Sequence, residues 1–216
     1  MSGKSLSVCV LAAFSFFVSG VFAAETGRID LPAPATSGGP ALAQTLSERR
    51  SAREFTDVDL TPQQMSDLLW SVAGVNRPDG KKTYPVSRNR HDMTVFVFTR
   101  EGVYRYDPAG NSLEPIASGD HRAESGTQPY VGGAAVNLAY VQDMSFWQDS
   151  PDQPERGLHW GFAHSGAMMQ NAYLYAAGQG WSAVVRGLFD QDKLKALLKL
   201  SDSQFVRLVQ SVGPKG

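Results

Sequence analysis

Cysteine is nearly absent: Cys9 is the only one among 216 residues. An excess of either charge is missing too, with 20 Lys+Arg against 21 Asp+Glu and a formal net charge of -1. That balance leaves no basic face for nucleic acid, and no long Lys/Arg run builds one locally. No apolar run reaches the roughly 20 residues that a membrane-spanning helix needs. Familiar catalytic signatures are absent as well. There is no H-E-x-x-H, and His159 and His164 stand five apart, on different faces of a helix, so no metal site is expected. Ser165, in His164-Ser165-Gly166, fails the G-x-S-x-G elbow. Neither a G-x-G-x-x-G after a strand nor a Walker A lysine occurs. No side chain is therefore assigned as a catalytic acid, base or nucleophile, and His91, His121, His159 and His164 read as solvated or core histidines.

What is present is a globular composition, 42% hydrophobic and 19% charged, with length enough for one well-cored domain. The first segment stands apart from it. Lys4 precedes a short apolar core over Val8–Val18, and Val21-Phe22-Ala23 puts small residues where a signal peptidase reads. This pattern predicts a secretory signal peptide over residues 1–23 and export to the periplasm or medium, with no membrane association after cleavage. Cleavage would remove Cys9, so disulfide staples, thiolate nucleophiles and cysteine-ligated metals are excluded from the mature chain.

Residues 24–40, with Leu31-Pro32-Ala33-Pro34 and Ser37-Gly38-Gly39-Pro40, predict an extended lead-in to a domain over 41–216. A helix is expected over Ala41–Arg49. A second starts at Thr61-Pro62-Gln63-Gln64, a capping box with proline at N1; Met65, Leu68, Leu69 and Val72 share a face, and Gly74 stops it. Asn76–Asn89 reads as a loop. The period then changes to that of strands at Met93–Thr99, Val103–Tyr106, Leu113–Ile116 and Ala135–Val141. Met144–Gly157 is polar and aromatic, a loop or lid. Leu158–Gly178 is helical and rich in Gly and Ala, which predicts a central helix packed against a second subunit. A strand at Ala183–Val185, a helix at Asp190–Leu198 and a strand at Phe205–Val212 complete an α+β pattern.

One cluster carries chemistry: Glu48-Arg49-Arg50-Ser51-Ala52-Arg53-Glu54-Phe55. Three guanidinium groups and a hydroxyl within five positions can surround a phosphate through charge-assisted bonds. Taken alone it reads first as a solvated helix end, where arginine complements the macrodipole. Its position changes that reading. Arg49-Arg50-Ser51-x-Arg53-x-Phe55 before the Met65–Val72 helix resembles the opening of the FMN-dependent nitroreductase family. Thr83-Tyr84-Pro85-Val86-Ser87-Arg88-Asn89 and Gly166-Ala167-Met168-Met169-Gln170-Asn171 resemble the family's next blocks in order. So do Gly102-Val103-Tyr104-Arg105-Tyr106-Asp107-Pro108 and Ser182-Ala183-Val184-Val185-Arg186-Gly187. The hairpin block resembles the branch of the azoline dehydrogenases of peptide maturation.

The resemblance implies an α+β sandwich, with a central antiparallel or mixed sheet flanked by helices, in an intertwined homodimer with FMN at the interface. Arg49, Arg50, Ser51 and Arg53 match the phosphate motif, and Lys215 resembles a second phosphate ligand. Ser87 and Asn89 match the loop that one subunit lays on the other's isoalloxazine. Arg186 and Gly187 match the turn at the flavin N5 edge. Arg186 stands where relatives carry an acidic residue, which implies a positive charge beside the flavin. Val86 stands where many relatives have Ser, which takes away one ring contact. The implied function is hydride transfer at flavin N5 to or from a small organic substrate; the alternative is a flavin- or ligand-binding protein that keeps the fold without turnover.

Overall fold

The computed structural model describes residues 27–149 and 155–216. The expected signal peptide lies outside the described residues. In chain order the elements are β1 (Ile29–Asp30), α1 (Leu42–Glu48), α2 (Pro62–Ala73), β2 (Met93–Phe98) and β3 (Gly102–Asp107). They continue with β4 (Ser112–Ser118), β5 (Val136–Asp143), α3 (Glu155–Gly178), β6 (Ser182–Arg186), α4 (Gln191–Leu197) and β7 (Gln204–Gly213). The strands form one sheet in the order β1-β4-β3-β2-β5-β7-β6. Every neighbouring pair runs antiparallel. The fold is α+β, and the sheet is antiparallel rather than mixed.

Alternation along the strands separates two cores. On one face Val95, Val97, Leu138 and Tyr140 meet Leu68, Leu69 and Val72 of α2 and Met168, Ala172 and Ala176 of α3. On the other, Phe96, Phe98, Val141 and Val209 meet Leu194 and Leu198 at α4. Burying Leu68 and Leu69 completely contributes roughly 1.5–3 kcal/mol each. β5 is central, with all but its last residue buried, which its nearly unbroken apolar run requires.

The helix ends follow the sequence signals closely. Thr61 and Gln64 cap each other reciprocally, at 3.3 Å from Gln64 N to Thr61 Oγ1 and 2.9 Å from Thr61 N to Gln64 Oε1. Gly74 ends α2 in an extended conformation. It is glycine for space, since a Cβ there would lie 2.3 Å from Trp70 Cδ1. Upstream of α1 the chain is strapped down: Ile29 and Asp30 pair with β4, Ser66 Oγ donates to Pro32 O at 2.6 Å and Ala35 N to Asp67 Oδ1 at 2.7 Å.

Two expectations need correction. α3 begins at Glu155, before Leu158, and the turn Met144–Trp147 is no lid. Trp147 is fully buried and its Nε1 donates to Asp92 Oδ2 at 2.7 Å. Some of the small residues of α3 are filled from within its own subunit. Ala172 and Ala176 are covered by the sheet, and a Cβ on Gly161 would strike Gln142 Oε1. What α3 leaves uncovered is large: Leu158, Trp160 and Phe162 are 39%, 39% and 47% exposed. Among the described residues, no helix is long and apolar enough to cross a membrane.

Candidate functional site

α1 stops at Glu48 because the chain turns extended at Arg49, whose N–H still reaches Thr45 O at 2.9 Å. The extended segment lies along β6 and the C-terminus. Ala52 N donates to Ala183 O at 2.9 Å, Phe55 bridges Lys215, and Thr56 N donates to Pro214 O at 3.1 Å. This pairing brings Arg50 and Lys215 to one pocket of about 210 Å³, lined also by Glu48, Tyr173, Ser182 and Ala183.

Tyr173, from α3, is the hub of this corner. Its hydroxyl stands 2.8 Å from Ser51 Oγ and accepts the Val185 N–H at 2.9 Å. The Arg49 guanidinium lies over its ring, 5.2 Å from the centroid, a cation–π contact that orients the charge. Arg49, Arg50, Ser51 and Lys215 are thus gathered into one electropositive corner. Glu48 also lines the pocket, but its carboxylate is drawn back along α1 by Gln44 Nε2 at 3.1 Å. Two cations in the lining, a third beside it and a hydroxyl form a donor set that suits a phosphate. The Ser182 hydroxyl is buried with no partner among the described residues. Arg53 is exposed and does not line the pocket.

Arg186 does not put its charge on this side of the sheet. Val185 and Ala183 face α3, so Arg186 faces the other way, where only 6% of it is exposed. Its Nη1 donates to Ser211 Oγ at 2.5 Å; its Nη2 donates to Ser125 Oγ at 3.0 Å and Asn137 Oδ1 at 3.2 Å. Burial pulls the guanidinium pKa down to about 10. The resemblance implied a cation beside the flavin; Arg186 is buried on the face of the sheet away from the arginine corner, because strand alternation at 185 and 186 sends neighbours to opposite faces. Gly187 follows β6 and is exposed, with open space where a Cβ would stand.

Ser87 and Asn89 lie on a turn at the other half of α3. The Ser87 N–H donates to His164 Nε2 at 3.0 Å, and His164 precedes Tyr173 by nine residues, about 13 Å along a helix. One subunit alone does not bring this turn to the arginine corner. Behind it sits a buried polar cluster. His164 Nδ1 is 2.8 Å from Asp92 Oδ1, while Asp92 Oδ2 accepts from Gln142 Nε2 at 2.8 Å and Trp147 Nε1 at 2.7 Å. Burial pushes the Asp92 carboxyl up, but the bonds from His164, Trp147 and Gln142 outweigh it and leave its pKa below the ordinary value. Among the described residues no three His, Cys, Asp or Glu side chains gather as a metal site.

The model of the Nitroreductase family matches residues 46–214. The chain belongs to that family. Nitroreductases are generally flavin-dependent oxidoreductases. A Methanocaldococcus jannaschii protein provisionally named a nitroreductase is 26% identical over 182 residues, 81% of this chain and 91% of the relative. The crystal structure of a provisionally named nitroreductase from Ralstonia eutropha is 36% identical with a TM-score of 0.84, over 91% of this chain and 92% of that one. The NADPH:FMN oxidoreductase of Vibrio harveyi, solved with NAD+, has a TM-score of 0.57 at 22% identity, over 81% of this chain and 68% of that one. That last likeness is of fold alone.

Sequence reasoning missed Tyr173 and the Asp92 cluster. Helical spacing offered a signal for His164, which shares the buried stripe of Gly161, Met168 and Ala172 and therefore needs polar partners. Its partners Asp92, Gln142 and Trp147 come from three distant segments and carry no local signal.

Proposed function

We propose that this nitroreductase is an exported, FMN-dependent oxidoreductase that works as a homodimer on a small organic substrate. The convergence of Arg50 and Lys215 on one pocket beside Arg49 and Ser51 carries the reading. These four residues would hold the FMN phosphate, and the backbone at Arg186 and Gly187 would border the ring. FMN, when bound, would supply hydride-transfer chemistry at its N5 edge. The chain's own residues bind and orient it, and no side-chain acid or base is required of them.

Two observations support the dimer. Leu158 and Phe162 stand exposed one turn apart on α3, and Leu42 and Leu46 stand exposed on α1, an apolar area of the kind that marks interfaces. The Ser87–Asn89 turn, remote from its own arginine corner, would reach the ring held by the facing subunit. Residues 1–23 carry the export reading, and an exported enzyme draws its electrons from a donor other than the free cytoplasmic NAD(P)H pool.

Titrating the purified protein with FMN and with riboflavin tests the reading. We expect a bound-flavin absorption spectrum with FMN and much weaker binding of riboflavin, which lacks the phosphate; equal affinities would remove the phosphate cradle. Chemically reduced protein should then pass electrons to a quinone or nitroarene over many cycles. A single stoichiometric discharge would instead identify a flavin-binding protein without turnover.

A further inference from the structure

One buried imidazole ties together both ends of the turn that carries Ser87 and Asn89. His164, only 2% exposed, is engaged through both ring nitrogens. The Ser87 backbone N–H can only donate, so Nε2 accepts it at 3.0 Å and the ring proton sits on Nδ1, donated to Asp92 Oδ1 at 2.8 Å. Asp92 closes the far end of the same turn. It is itself immobilised: Oδ2 accepts from Gln142 and Trp147, and its carbonyl accepts the Asp143 N–H at 2.8 Å.

The backbone so clasped is strained. Arg88 and Asn89 have φ of 51° and 57°, left-handed values at two successive non-glycine residues. Such a conformation lasts only where its surroundings over-determine it, and it clusters at working sites. Within the turn, Arg90 N donates to Ser87 O at 2.9 Å, and Asn89 Oδ1 lies 3.2 Å from His91 Nε2. Arg90 reaches outward to Phe146 O and to Asp149. The tie from Ser87 itself to the body of the fold is His164.

We infer that His164 is a positioning residue: backed by Asp92, it holds Ser87 so that the Ser87–Asn89 turn is presented to the flavin ring of the facing subunit. The inference rests on the FMN reading above and extends it to residues that never touch the cofactor. The groups facing the imidazole are Asp92 from the turn, Tyr84 at 6.2 Å and Trp160 at 5.7 Å between ring centroids. Arg207 of β7 acts through Gln142 Oε1, which it reaches at 2.8 Å. Lys82 faces the neighbouring His91.

Hydrogen exchange of peptides spanning 83–92, in the flavin-free full chain, tests the clasp directly. We compare the wild type with His164→Ala and His164→Gln, whose amide oxygen can still accept the Ser87 N–H. After correction for intrinsic rates, His164→Gln should keep most of the wild-type protection, and His164→Ala should exchange about tenfold faster, the effect of one hydrogen bond. In flavin titrations, His164→Ala should weaken FMN and riboflavin by the same factor, since the turn meets the ring and not the phosphate. Wild-type exchange in His164→Ala would overturn the clasp. Altered exchange with unaltered affinity for both flavins would overturn the positioning role. Absence of flavin binding in the wild type itself would defeat the FMN reading and the positioning role with it, while the exchange data would still report the clasp.

Discussion

The Tyr173 hydroxyl stands 2.8 Å from the Ser51 hydroxyl and accepts the Val185 N–H at 2.9 Å. A single phenol therefore joins α3, the edge strand β6 and the extended segment after α1. Tyr173→Phe keeps the ring beneath Arg49 and removes only this junction. The half-buried Val185 N–H loses its acceptor, at a cost of about 1–3 kcal/mol. Thermal melting should fall accordingly, and FMN binding should weaken because Ser51 is no longer aimed. An unchanged melt and unchanged affinity would remove Tyr173 from the site.

The arginine corner was only half legible in the sequence. Arg49, Arg50 and Ser51 are local, and a resemblance could read them. Lys215 joins them because Phe55 and Lys215 pair as a bridge, a contact between opposite ends of the domain. Arg53 belongs to the same motif, yet it ends exposed and outside the pocket lining. The helices and strands were legible for a simpler reason. Caps such as Thr61 and Asp190, and apolar runs such as Val136–Val141, act within a few residues. Long-range polar partners, like Asp92 for His164 or Ser211 for Arg186, leave no periodic trace.

That contrast divides the cations. Lys215→Ala and Arg50→Ala should each weaken FMN by roughly ten- to a hundredfold, as loss of one charge-assisted bond implies. Riboflavin affinity should barely move. Arg53→Ala should change FMN binding far less, and the gap between FMN and riboflavin should shrink at high salt. Equilibrium titrations at two ionic strengths measure all of this. An Arg53→Ala loss larger than that of Arg50→Ala would place the phosphate elsewhere.

Arg186 is expected to matter for stability and not for redox tuning. Arg186→Ala strips a buried donor set from Ser125, Asn137 and Ser211 and should destabilise by about 2–4 kcal/mol. The midpoint potential of bound FMN should stay at the wild-type value, because the guanidinium lies beneath the sheet. A lowered potential with an unchanged melt would restore its charge to the flavin side.

Acid should also weaken the fold through Asp92. Its carboxyl has a folded pKa below the unfolded one. Such a group contributes stability at neutral pH that is lost as pH falls through the ordinary carboxylate range and on through the folded value. Asp92→Asn removes that dependence and sets an amide among donors from Gln142, Trp147 and His164. We expect a loss of about 1–3 kcal/mol at neutral pH and a flatter stability profile below pH 5. Parallel acid-limb slopes in wild type and variant, followed by chemical denaturation, would contradict this.

The last prediction separates two glycines on one helix. Gly161 is filled from within its own subunit, since a Cβ would strike Gln142. Gly161→Ala should therefore overpack the monomer, at roughly 1–3 kcal/mol, whatever the assembly. Gly166 meets nothing within 4 Å, and by helical spacing it continues the exposed face of Leu158 and Phe162. In an isolated subunit Gly166→Ala would stabilise the helix by about 0.5–1 kcal/mol. In a homodimer packed along that face, a side chain there holds the facing subunit away. Gly166→Leu should accordingly yield a helical protein of monomer mass that binds FMN poorly, because the Ser87–Asn89 turn no longer reaches the other subunit's corner. Sedimentation and far-UV circular dichroism read the two effects apart. A Gly166→Leu dimer as tight as the wild type would mean that the subunits meet on a different face.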